Sequence, residues 1–211
     1  MARRADAERN RALVVRAAEE VFGEAGIDVP MSEVARRAGV GIATVMRNFP
    51  AREELIEETF LAAMRDYATA AAAAAADPDP WQGFRGFLGY LVRVQGGNRG
   101  FNQVLTTMFP GAERLEAERQ AALRDFIRLV GRAKAAGKLR ADFSPHDLPL
   151  FLLATSGVVR PGSEALAVAG RRLVAYLLRA CEAGDTEPLP PAPGARELYR
   201  ALENSSRGRP A

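Results

Sequence analysis

Residues 31–49 read MSEVARRAGVGIATVMRNF, and how this stretch folds decides how the chain folds. It divides as MSEVARRA, GVG and IATVMRNF, two short helices joined by a tight turn. Ala35 is small, as a residue must be where a second helix crosses closely over the first. Gly39 supplies the left-handed backbone that turns the chain without strain. Val34, Val40 and Val45 are apolar at spacings that close a little core between the two helices. The rest of the second helix is then free to lie in a major groove. This is a helix-turn-helix pattern; the competing reading is a helical hairpin in some other α-protein.

Working outward, apolar residues recur at three- and four-residue spacing with no sustained alternation, which predicts an all-α chain. Leu13, Val14, Ala17, Val21 and Phe22 form the inner stripe of a helix over about 6–25, with Gly26 as its C-terminal cap. Pro30 suits the opening of the second helix, residues 31–38, and the third runs over about 42–49. Pro50 closes that segment and leads into a long fourth helix, 51–76, with Glu53, Glu54, Glu57 and Glu58 near its N-terminus. The alanine run at 70–76 is the tail of that helix, stopped by Asp77-Pro78-Asp79-Pro80. Further helices are expected at about 81–97, 101–108, 111–136, 145–159 and 162–182, punctuated by Gly137 and Pro161-Gly162. Ser144, Pro145 and Asp147 form a helix start, and Pro149 is expected to bend the first turn. From Gly184 the chain becomes EPLPPAPG, a linker, with a short helix expected near 195–203. The division predicted is a small domain over 1–50, a larger helical one over 51–183, and a Pro-rich flexible tail over 184–211.

Composition narrows the class without choosing the function. Hydrophobic residues at 48% and charged residues at 26% can build an ordinary core over 211 residues. A single cysteine, Cys181, excludes an intramolecular disulfide framework and fits a reducing compartment. No run of about 18–20 apolar residues and no signal-peptide pattern is present, so a cytoplasmic protein away from the membrane is expected. The net charge of +3 decides little. Residues 1–52 carry nine arginines against seven acids, an excess found in many proteins that never meet nucleic acid. A case for DNA must rest on where the residues stand.

Residues 12–55 resemble the DNA-binding domain of the TetR family of bacterial regulators. The residues that carry the resemblance are Ala17-Ala18, Phe22, Gly26, Val34-Ala35, Ala38-Gly39-Val40, Thr44, Phe49, Arg52-Glu53 and Leu55. It implies a three-helix DNA-binding domain whose third helix reads DNA. A fourth helix would link it to a larger, variable, ligand-binding and dimerising domain. The resemblance also places a basic residue, here Arg52, against phosphate at the start of the fourth helix. Two positions depart from the pattern. Met46 stands where the family usually has a tyrosine that meets a phosphate, and Gly41 where it has a small polar cap.

On the third helix, Ile42, Ala43, Thr44, Arg47 and Asn48 are the candidates for the outer face. Arg47 can pair bidentately with guanine or clamp a phosphate, and Asn48 can read adenine or bond a phosphate. Thr44 can offer a hydroxyl, Ile42 or Ala43 can meet a thymine methyl, and Gly41 offers only backbone. Arg37 is a further phosphate candidate. Arg3 and Arg4 are placed on a flexible arm that either enters the minor groove or is merely a charged terminus.

For the larger domain the resemblance implies an effector cavity, apolar with few polar anchors. Its candidate lining is Trp81, Phe84, Leu88, Phe101, Leu105, Met108, Phe126, Leu152 and Thr155, most of which must otherwise be plain core. The helix over 162–182 is apolar on more than one face, and Leu166, Leu173, Tyr176 and Leu177 are candidates for a homodimer contact. A two-fold dimer suits a palindromic operator in double-stranded DNA.

The function expected is a transcriptional regulator, a repressor released from its operator by a small-molecule effector. The alternatives are a helical protein-interaction module and an effector-independent DNA-binding protein. A solid core over 81–160 would favour the module. No catalytic role, cofactor or metal is expected, since there is no metal-ligand cluster, no phosphate-cradling glycine loop and no histidine set for a triad. His146 reads as a surface or hinge residue, and Cys181 as a small buried hydrophobe.

Overall fold

The structure, a computed structural model, describes residues 2–158, 163–184, 187–194 and 197; of residues 2–5 and 7 it describes the backbone. The Pro161-Gly162 break and, apart from Glu197, the helix expected near 195–203 lie outside the described residues. Among the described residues the elements are α1 (Ala2–Ala25), α2 (Met31–Ala38), α3 (Ile42–Asn48), α4 (Arg52–Ala76) and α5 (Pro80–Gln95). They continue with α6 (Arg99–Thr106), α7 (Glu113–Ala135), α8 (Leu148–Val158) and α9 (Glu164–Cys181). The expected all-α order holds.

The first three helices close on one another as their pattern requires. Val14, Ala17, Ala18, Val21 and Phe22 of α1 are buried against Val34 and Ala35 of α2 and Val45 and Phe49 at α3. Gly39 has φ +68° with no atom near an added Cβ, so the backbone conformation, and not space, demands glycine there. The Gly39 and Val40 amides donate to the Arg36 and Ala35 carbonyls at 3.3 and 3.1 Å, which turns the chain tightly into α3.

The long α4 is the spine. It packs along α7 over most of its length and is joined by α5, α1 and α6. The alanine run is packed tail, with Ala71 and Ala75 buried. A Cβ on Gly83 would sit 2.3 Å from the Ala74 carbonyl oxygen, so α4 and α5 meet at bare backbone. The α4–α5 turn is capped from both sides. The Asp79 carboxylate accepts from the Trp81 and Gln82 amides, and Arg132 of α7 donates to the Ala75 and Asp77 carbonyls at 2.7 Å each.

Three expectations change. First, α1 begins at Ala2, so Arg3 and Arg4 stand on a helix and not on an arm. Second, Ser144 and Asp147 do form a capping box, but it caps a 3₁₀ turn over Pro145–Asp147. The α-helix begins only at Leu148, so Pro149 falls in a first turn, where a missing N–H leaves no intrahelical bond unmade. Third, the end of α9 is tied down: Arg140 N donates to the Cys181 carbonyl at 3.0 Å and Ala183 N to that of Lys138 at 2.9 Å. Beyond it, the Arg140 guanidinium holds the Glu187 carbonyl and Asp142 accepts from Leu189 N, so the start of the tail is anchored to the body.

Candidate DNA interface and ligand cavity

The third helix is mounted by its buried side. Val45 and Phe49 are fully enclosed, and Arg11 of α1 lies 4.3 Å over the Phe49 ring while donating to the Asn48 carbonyl and to Glu58 of α4. One arginine thus joins α1, α3 and α4 and fixes how α3 projects. The opposite face is bare: Gly41, Ile42, Ala43, Met46 and Arg47 are exposed and Thr44 is half-exposed. Positions 42, 43, 46 and 47 form one stripe at helical spacing. Met46 belongs to it at 43% exposure, beside Ile42 at 45%; it does not pack inward. Two signals marked Met46 in the sequence: it stands at the position of the family's phosphate-contacting tyrosine, and four residues after Ile42.

The polar candidates differ in what already holds them. Arg47 folds back on its own turn, donating to the Ala43 carbonyl and the Thr44 hydroxyl, and is free to unfold toward a partner at the cost of local bonds. Asn48 donates to the Thr44 carbonyl at 2.8 Å and is half-buried, so it stands off the stripe. Arg37 bridges to Glu20 and Glu24 of α1 at 3.1 and 3.0 Å. Its hydrogen bonds to Glu24 and then Glu20 raise its pKa, and those to Arg37 hold Glu24 below the usual carboxylate range. Arg36 is paired with Glu33. Arg52 is the most committed: one of its terminal nitrogens donates to both the Ile27 and Val29 carbonyls at 2.7 Å, locking the α1–α2 loop.

Behind this unit, α6 packs against α1 beside α4. A Cβ on Gly100 would meet the Phe22 carbonyl oxygen at 2.7 Å and the Phe60 ring at 2.8 Å, so α6 touches α1 directly. The Gln103 amide oxygen accepts from Ile27 N at 2.8 Å, and its nitrogen donates to Asp28 at 3.1 Å. At its other end, Arg119 of α7 caps α6 by donating to the Val104, Leu105 and Thr107 carbonyls.

That capped end forms one wall of a cavity of about 220 Å³. Tyr67 of α4, Leu105, Glu116, Arg119, Leu148, Pro149 and Leu152 are its buried lining, and Met108, Gln120, Leu123 and His146 its exposed rim. Of the expected lining, Leu105, Met108 and Leu152 are there. Trp81, Phe84 and Phe126 are not: Phe84 stacks between Trp81 and Phe126 in a solid aromatic core completed edge-on by Phe143. Phe101 is occupied against Phe60, which stacks on Phe22. Leu88 and Thr155 border a void of only about 10 Å³, and the Thr155 hydroxyl donates to Gln95. Bulk and aromaticity marked the core and not the cavity. The lining that sequence reasoning missed comes mostly from α7 and the 3₁₀ turn, where polar residues at helical spacing look like solvent face, with Tyr67 of α4 and Leu148 and Pro149 of α8.

On α9, Tyr176 is exposed at 56% and Val168 at 49%, while Leu166, Leu173 and Leu177 are half-buried. Leu150 of α8 is exposed as well. Among the described residues no group of His, Cys, Asp and Glu is placed to hold a metal, and no helix is long and apolar enough to cross a membrane.

A helix-turn-helix unit seated on an all-helical body defines the class. Residues 14–59 match the family described as bacterial regulatory proteins, tetR family, and the N-terminal domain of this chain is a tetR-family DNA-binding domain. No curated protein matches the chain. Among solved structures it is similar to the ketosteroid transcriptional regulator KstR2 of Mycobacterium tuberculosis, at 17% identity and TM-score 0.58, covering 82% of this chain and 95% of that one. It is similar too to a putative TetR-family regulator of Vibrio parahaemolyticus, at 22% identity and TM-score 0.57, covering 83% and 99%. A third is the regulator FadR of Bacillus subtilis in complex with stearoyl-CoA, at 13% identity and TM-score 0.56, covering 79% and 97%. At these identities the likeness is one of fold.

Proposed function

We propose that this protein is a cytoplasmic repressor of transcription that binds a palindromic DNA operator as a homodimer and is released by a small-molecule effector. The observation that carries the reading is the bare stripe of Ile42, Ala43, Met46 and Arg47 on a helix whose other side is fully enclosed. Such a helix enters a major groove with its outer residues at base edges. Arg47 supplies the base or phosphate contact, Thr44 a hydroxyl, and Ile42, Ala43 and Met46 apolar contact to thymine methyls or sugars. Gly41 lets the backbone come close to phosphate. Arg52, Arg37 and Asn48 act mainly by holding the unit's shape.

The domain division that fits this function puts the reading head before about residue 51 and effector binding and dimerisation after it. The 220 Å³ cavity supports the effector part, as does FadR, a neighbour of the same fold solved with a bound ligand. The capped end of α6 lines the cavity, and its Gly100–Gln103 face lies against α1 and the α1–α2 loop. A ligand that moves α6 therefore moves the reading head, and in a dimer this changes the spacing of two helices that must fit grooves about 34 Å apart.

The test is capture of genomic fragments from the source organism by the purified protein at physiological salt. Recovery of a few sites with two-fold symmetry is the expected result. Uniform recovery across the genome would leave only non-specific binding and contradict the proposal.

A further inference from the structure

The cavity also carries information about what fills it. Its lining is apolar except for Glu116, Arg119 and the Tyr67 hydroxyl, with Gln120 and His146 at the rim. Both lining charges are nine-tenths buried, and they neutralise each other at 3.0 Å. Four of the five Arg119 N–H donors and both Glu116 oxygens are already engaged. The Glu116 carboxylate also accepts from the Phe109 amide at 2.9 Å, and the remaining Arg119 bonds go to the three carbonyls that end α6. A charged group entering this space finds no uncompensated partner and loses its hydration, whereas an apolar neutral body loses nothing. Any polar atom on the ligand is best placed at the rim, beside Gln120 and His146, where water remains.

We infer that this cavity takes a small, neutral, mainly apolar molecule of one or two rings or equivalent bulk, and excludes organic anions. The size follows from the volume: 220 Å³ is roughly one and a half times the ~150 Å³ that houses benzene in an engineered apolar cavity. Excluding anions also protects the α6 cap. A carboxylate drawn to Arg119 would compete for the donors that hold the Val104, Leu105 and Thr107 carbonyls.

The ligand class rests on the effector reading above only for its biological meaning, and the test separates the two. The full chain is titrated calorimetrically at pH 8 with 4-isopropylbenzyl alcohol and with 4-isopropylbenzoate, a pair of similar bulk that differs in charge. The expected result is binding of the alcohol at least about tenfold tighter than the carboxylate. In Glu116→Gln the amide oxygen can still accept from Phe109, but the Arg119 charge is uncovered. There the carboxylate gains about tenfold or more while the alcohol is unchanged. Met108→Trp, which fills the space from its exposed rim, weakens the alcohol without lowering the melting temperature. Equal or preferential binding of the carboxylate by the unaltered chain, or no binding of the alcohol at millimolar concentration, overturns the ligand class. Binding of the alcohol with no effect on DNA affinity upholds the ligand class and counts against the effector reading alone.

Discussion

At the scale of single residues, an arginine's part is set by how many of its five donors the fold has already engaged. Arg47 and Arg52 lie five positions apart and look alike as candidates for DNA. In the folded chain Arg47 bonds only to its own helix, while Arg52 holds two carbonyls of the α1–α2 loop. Arg52→Ala should therefore lower stability by about 1–3 kcal/mol, since two loop carbonyls lose their donor. Urea denaturation would show it as a lower midpoint with an unchanged slope, and an unaltered midpoint would refute that role. The difference was not legible in sequence, because the carbonyls that claim Arg52 belong to residues 27 and 29 and are brought to it only by the fold. Arg119 and Arg132 use the same device at the ends of α6 and α4, again on carbonyls no local pattern reveals. Cys181 was legible as a buried small hydrophobe. Burial pushes its thiol up to about 12, so it stays protonated at pH 8. The native protein should leave a disulfide reagent unreacted at that pH and react once unfolded; prompt native reaction would contradict the burial.

At the scale of elements, α6 does a great deal for its length. Its eight residues meet α1 at Gly100, the α1–α2 loop at Gln103, and the cavity at Leu105. Gly100→Ala should destabilise by about 1–3 kcal/mol, because the added methyl meets a backbone carbonyl that cannot swing aside. Gly86→Ala, on the exposed side of α5 with open space around it, should instead stabilise by about 0.5–1 kcal/mol. Thermal unfolding of the two variants side by side checks both signs, and the same sign in both would sink this account of α6. Helix ends were legible within a few residues wherever a proline, glycine or capping side chain stood, as at Gly26, Gly39, Asp79 and Ser144. What α6 touches was not, since Gln103 and Gly100 carry no signal of their partners in a short helix that reads as mostly polar. The cavity was misjudged for a related reason. Most large aromatic residues fill space, and the open volume lies where polar side chains of α7 meet the 3₁₀ turn, α8 and the end of α6, with Tyr67 of α4 the aromatic in its lining.

At the scale of the whole molecule, the proposed function requires two copies. Among the described residues, Val168 and Tyr176 of α9 with Leu150 of α8 leave apolar surface exposed, and a second copy of the same pair of helices would bury it. Val168→Asp should convert the protein to monomers in sedimentation without loss of helicity, as an exposed substitution costs little in the fold; a dimer that survives it would move the interface elsewhere. The all-helical architecture and the helix-turn-helix were readable from periodicity and the Ala35–Gly39–Val45 spacing, while the exposed stripe on α3 needed the fold to separate Met46 from the core and Asn48 from the stripe. The most direct test of the central claim is an anisotropy titration of the unaltered chain and Arg47→Ala against a recovered site and its scrambled counterpart, at fixed physiological salt. The unaltered chain should prefer the site by about a thousandfold or more, and Arg47→Ala should lose about 1–3 kcal/mol of that binding while sedimenting as the same dimer. Equal affinity of the unaltered chain for both DNAs, or an Arg47→Ala protein that binds the site undiminished, would contradict the assignment of α3 as the reading helix.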